Sequence, residues 1–133
     1  MTYGAKSYKQ MQITTASPAQ ILIMLYEGAI QNVKRAILAM EQKNTAEKGK
    51  YIGKTHDIIN ELTLSLNHEV AGQIAKDLER LYNFMVSQLL KANVNNDKEA
   101  LVSVQKNLET LLDGWKGAVN QFQKESSAPK KTT

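Results

Sequence analysis

His56 and His68 are the two side chains in this sequence best suited to hold a transition metal or to move a proton near neutral pH. A helix-borne dinuclear carboxylate site would need glutamate three residues before histidine. Gly53 and Ser65 stand at those positions instead. The His-Glu-x-x-His spacing of zinc hydrolases is also missing. There is no cysteine, so neither thiolate ligation nor a disulfide arises. The acids Glu27, Glu41, Asp57, Glu61, Asp77, Glu79, Glu109 and Asp113 are scattered. A glycosidase needs two carboxylates converging on one cleft, and nothing in this spacing separates such a pair from solvated helix faces. No glycine-rich turn follows a strand pattern to cradle phosphate, and no nucleophile has a recognisable base. The expectation is a non-enzyme with no catalytic residue, no metal and no cofactor.

What the sequence has in surplus is apolar surface. Ile21, Leu22, Ile23, Met24, Leu25 and Tyr26 follow one another without a polar break. A surface helix needs only one apolar stripe, so this turn and a half is either buried on every side or partly turned to a partner. Upstream, Tyr3, Tyr8, Met11 and Ile13 punctuate a polar, aperiodic segment. Such an arm can fold over an apolar groove and keep it soluble until a partner displaces it. Exposed apolar patches of several hundred Å² otherwise invite aggregation.

The elements that position these residues are helices. Prolines occur only at 18 and 129. Ser17, Pro18 and Gln20 read as N-cap, first helical position and capping-box partner. A first helix is expected from there to about Gln42, with Leu22, Leu25, Ala29, Val33, Ala36 and Met40 inward. Thr45 is the expected cap of a second helix, whose stripe is Ile52, Thr55, Ile59, Leu62 and Leu66. Asn67, His68 and Glu69 form a joint. A third stripe follows at Ile74, Leu78, Leu81, Tyr82, Met85 and Leu89, closed by the turn signal Asn95-Asn96-Asp97. The fourth stripe is Leu101, Val104, Leu108, Leu111, Trp115, Ala118 and Phe122. Short connections favour antiparallel packing about one core. The expectation is therefore all-α: an antiparallel four-helix bundle over 17–123, an N-terminal arm over 1–16 and a disordered tail over 124–133.

Charge excludes more than it suggests. The chain of 133 residues carries +4 overall. The excess sits in the arm and the tail, and residues 18–122 hold 12 basic and 12 acidic side chains. A nucleic-acid binder concentrates its charge on a folded face, so no nucleic acid is expected as a partner. No apolar run approaches the ~18 residues of a membrane span, and no signal peptide is evident. Membrane insertion is not expected.

The ordered motifs resemble a known family, the flagellar secretion chaperone FliS. Its opening signature is similar to Tyr8-Lys9-Gln10, then Thr14-Thr15-Ala16-Ser17-Pro18, then Leu25-Tyr26-Glu27-Gly28-Ala29. Its centre resembles Asp57 through Leu62, Ser65-Leu66-Asn67 and Gly72-Gln73-Ile74-Ala75, followed by Leu78, Leu81-Tyr82 and Met85. Ala92-Asn93, Asp97 and Trp115 complete the series. Ala71 departs from it, standing where the family often has a second glycine.

The resemblance implies a cytoplasmic export chaperone. Its partner would be the C-terminal segment of flagellin, held against premature polymerisation and kept competent for flagellar type III secretion. An export-gate component is a second implied partner. Tyr8 and Ile13 would cover the groove from the arm, and Leu22, Met24, Leu25 and Tyr26 would line it from the first helix. Ile59, Leu62, Leu66, Leu78, Tyr82 and Met85 would belong to groove or core. The competing reading is a regulatory or structural bundle that associates with itself through the apolar run.

Overall fold

The computed structural model describes residues 17–127, and these form five helices. α1 spans Pro18–Glu41. The Ser17 hydroxyl accepts the Gln20 amide at 3.2 Å, and the Gln20 side chain accepts the Ser17 amide at 3.1 Å. The expected capping box is therefore closed on both sides. Lys43, at φ 58°, turns the chain out of α1. α2 spans Thr45–Leu64. Its cap is Asn44 and not the expected Thr45, because the Asn44 side chain reaches the Glu47 amide at 3.1 Å. Asn67 then accepts from the amides of Glu69 and Val70, both at 3.1 Å. That double cap turns the expected joint into a single turn of helix, α3, His68–Ala71.

Gly72 takes φ 54°, ψ −115°, which a side chain rarely tolerates, and so redirects the chain into α4, Gln73–Asn95. α4 closes on Asn96 in the left-handed conformation, φ 52°, ψ 42°, as the Asn-Asn-Asp signal anticipated. Asp97 caps the next helix by accepting the Ala100 amide at 3.2 Å. α5 spans Lys98–Ser127, running past Gln123, where the sequence reading ends the bundle.

The four long helices pack in a ring: α1 on α2, α2 on α4, α4 on α5, and α5 on α1. α1 and α4 thus face each other across a diagonal. Cross-links fix the antiparallel register of α1 and α5, with Glu41 to Lys98 at 3.0 Å, Lys34 to Glu109 at 3.9 Å and Glu27 to Lys116 at 3.7 Å. These pairs are half exposed, so they steer alignment more than they stabilise.

The core is filled by Tyr26, Val33, Ile59, Leu62, Met85, Leu89, Leu101 and Leu108. Each such aliphatic side chain contributes about 1.5–3 kcal/mol by leaving water. Ile74 does not join it. That residue is 64% exposed, and Ala75 is the buried member of the first turn of α4. The reason is that α4 begins only at Gln73, so its face is set by the later turns. Among the described residues, Thr55 and Lys48 are buried as well. Thr55 donates to the Tyr51 carbonyl at 2.8 Å. Lys48 donates to the Asn93 carbonyl at 3.0 Å and to Asn96 Oδ1 at 2.6 Å. Its charge thereby meets the negative end of α4.

Candidate partner-binding site

The apolar run of α1 divides three ways. Tyr26 is fully buried in the core. Leu22 turns to a groove between the start of α1 and the end of α5. Ile21, Met24 and Leu25 turn to a second groove, between α1 and α2. Successive positions step 100° around one helix, so six of them spread over its whole circumference and the run reaches three surfaces at once. Its length follows from that, and burial on every side is not needed to account for it.

The first groove encloses about 630 Å³ and is lined by Pro18, Ala19, Leu22, Trp115, Val119 and Phe122, with Ser17 and Ala118 at its edge. Helix lengths create it. α5 has 30 residues, against 24 in α1 and 23 in α4. With Glu27 beside Lys116, the turns of α5 that follow Lys116 run back along the opening turns of α1. Phe122 is accordingly 69% exposed, although its spacing reads as core. The second groove, about 520 Å³, is floored by Gly28 and Ile58 and reaches Arg35 and Lys54 at its far end.

Beneath the first groove lies a buried polar link. The Tyr26 and Tyr82 hydroxyls meet at 2.5 Å across the α1–α4 diagonal. Burial pushes both phenols above their ordinary pKa; each other's presence opposes this at Tyr26 and adds to it at Tyr82. Trp115 lies close enough to Tyr26 to favour its phenolate slightly, the smallest of the effects on that group. The buried Nε1 atom of Trp115 has no hydrogen-bond partner among the described residues.

The structure thus sorts the residues expected at the site. Met24 is exposed, and Leu22, Leu25, Leu66 and Leu78 are half-buried. Tyr26, Ile59, Leu62, Tyr82 and Met85 are buried in the core, not displayed on a surface. Tyr8 and Ile13 lie outside the described residues. Trp115, Val119, Phe122 and Ile58 line the grooves although none was expected at the site, Trp115 and Phe122 having been read as members of the fourth stripe. The available signal was that the fourth apolar stripe is longer than any stripe able to cover it.

Among the described residues no three His, Asp or Glu side chains gather as a metal site would require. His56 and His68 sit at the surface beside Asp57 and Glu79, each pair 3.8 Å apart. No helix among the described residues is long and apolar enough to cross a membrane.

The profile of the family "Flagellar protein FliS" matches residues 1–122. The chain belongs to the FliS family. It is 37% identical over 118 residues to the flagellar secretion chaperone FliS of Salmonella typhimurium, covering 85% of this chain and 87% of that one. To the FliS of Vibrio cholerae it is 39% identical over 119 residues, covering 86% and 88%. The fold matches a solved structure described as a flagellar chaperone from bacteria, with TM-score 0.74 at 23% identity over 89% of this chain and 96% of that one. The all-α bundle is therefore that of a FliS-family flagellar secretion chaperone.

Proposed function

We propose that the chain binds the C-terminal segment of flagellin in the bacterial cytoplasm, prevents its premature polymerisation and holds it ready for flagellar type III export. Membership of the FliS family of flagellar secretion chaperones carries this reading. The open apolar groove of Leu22, Trp115 and Phe122 supports it physically. Ordering a disordered segment costs roughly 2–5 kcal/mol, which a ready-made apolar surface can offset. Leu22, Met24 and Leu25 make direct contact in this reading, with Leu66 and Leu78 at the margins. Tyr26, Ile59, Leu62, Tyr82 and Met85 act from below, by fixing the helices that frame the grooves.

The arm, residues 1–16, covers the first groove through Tyr8 and Ile13 when flagellin is absent. The groove's rim at Ser17 and Pro18, where the arm joins α1, favours this assignment. Release needs no catalysis by the bundle, since handing the cargo to an export-gate component can drive it. The test is seeded flagellin polymerisation followed by light scattering. Equimolar chain is expected to suppress filament growth. Undiminished growth at molar excess would rule the reading out.

A further inference from the structure

We propose that the cations gathered around Tyr51 are a docking point for the acidic end of an amphipathic segment in a partner protein. Arg35 of α1 lies 5.6 Å from the Tyr51 ring centroid, and Lys50 and Lys54 of α2 lie at 5.3 and 5.6 Å. Tyr51 is half-buried against the core, so the ring is held while three exposed cations converge on it. Ring contacts attract each cation but do not cancel the mutual repulsion of three like charges.

The chain does not supply the missing anion. Lys34, Arg80, Lys91, Lys98 and Lys116 each meet a carboxylate. Among the described residues no ion pair forms at Arg35, Lys50 or Lys54, although Glu47 and Asp57 stand one turn away on α2. Residues 1–16 and 128–133 contain no Asp or Glu.

The surroundings narrow the class of occupant. Arg35 and Lys54 line one end of the second groove, where they outnumber the single carboxylate in its lining, Asp57, and the other end is Met24, Leu25 and Ile58. From Met24 to Arg35 along α1 is roughly 16 Å, the length of three helical turns. A segment of that length with apolar side chains toward Met24 and carboxylates toward Arg35 complements the whole groove. A nucleic acid would meet the cations but leave the apolar end unfilled, and the charge-balanced body offers no extended basic track for its phosphates. The proposal rests on the chain being a protein-binding bundle, not on flagellin being its partner.

The experiment is a two-by-two binding cycle by fluorescence anisotropy at 50 mM salt, using the full chain. One labelled probe is a synthetic amphipathic peptide of about twelve residues with leucines on one face and three glutamates at one end. Its twin carries glutamines. The protein is wild type or the combined Arg35→Gln, Lys50→Gln, Lys54→Gln variant. The wild type is expected to prefer the glutamate peptide about tenfold, the order that two or three exposed ion pairs supply. The variant is expected to lose that preference while melting no lower than the wild type. Added salt should erase it too. Equal binding of both peptides by the wild type overturns the proposal, as does a preference unchanged in the variant. So does an oligonucleotide of matching charge that binds these cations more tightly than the glutamate peptide. If flagellin binds while the peptides show no preference, this proposal alone fails. A preserved preference without flagellin binding defeats only the flagellin reading.

Discussion

Removing the Tyr26 hydroxyl by Tyr26→Phe should weaken folding far more than partner binding. The Tyr26–Tyr82 contact joins two helices that otherwise face each other only across the core. Both rings are essentially without solvent exposure. A lost buried hydrogen bond costs about 1 kcal/mol, and the stranded partner adds roughly 1–3 kcal/mol. Tyr26→Phe and Tyr82→Phe should therefore each cost about 2 kcal/mol. The double variant should cost clearly less than their sum, because it strands neither hydroxyl. With a urea slope of about 2 kcal/mol/M, each single midpoint falls by ~1 M. Alkaline titration supplies an independent check. In the unfolded chain both phenols ionise near pH ~10, and burial holds both above that in the fold. Above that pH the folded state keeps protons that the unfolded state has lost. Stability is complete below pH ~10 and declines as pH climbs toward the folded values, by at most about 1.4 kcal/mol per unit for each tyrosine. The double variant should lack this part of the decline. Strictly additive single variants, or identical alkaline profiles, would refute the buried link.

Three other perturbations separate fold from function. Lys48→Met keeps the buried stem but strips the Asn93 carbonyl and Asn96 of their donor; urea denaturation should show a loss of about 1–3 kcal/mol. Gly72→Ala forces a side chain onto φ 54° with open space around it, so thermal melting should register strain alone, roughly 1–2 kcal/mol. Phe122→Ser, at a side chain 69% exposed, should leave the midpoint within about 0.5 kcal/mol of wild type. The same variant should weaken flagellin binding at least tenfold by calorimetry, a clear hot-spot effect of roughly 1.4 kcal/mol or more.

Local signals were legible and long-range ones were not. Ser17, Pro18 and Gln20 announce α1 because a capping box is complete within four residues. Asn96 and Asp97 mark the α4–α5 turn for the same reason. Stripe residues such as Ile59 and Leu108 lie in the core where periodicity puts them. Lys48 could not be found that way, since its partners are 45 and 48 residues distant and its own neighbourhood is polar. Nor could the pairing of Tyr26 with Tyr82, 56 residues apart. Periodicity reports which face of a helix is apolar, but says nothing of where neighbouring helices stop. For that reason Phe122 reads as core and stands exposed, and Tyr26 reads as groove and lies beneath it.

The central claim is that the apolar grooves hold the tail of flagellin, and isothermal titration of the full chain with flagellin tests it most directly. The account predicts a 1:1 complex with intact flagellin, a negative heat-capacity change from buried apolar surface, and no binding once the flagellin C-terminal segment is removed. Equal binding to the truncated flagellin, or no heat with the intact protein, would contradict it.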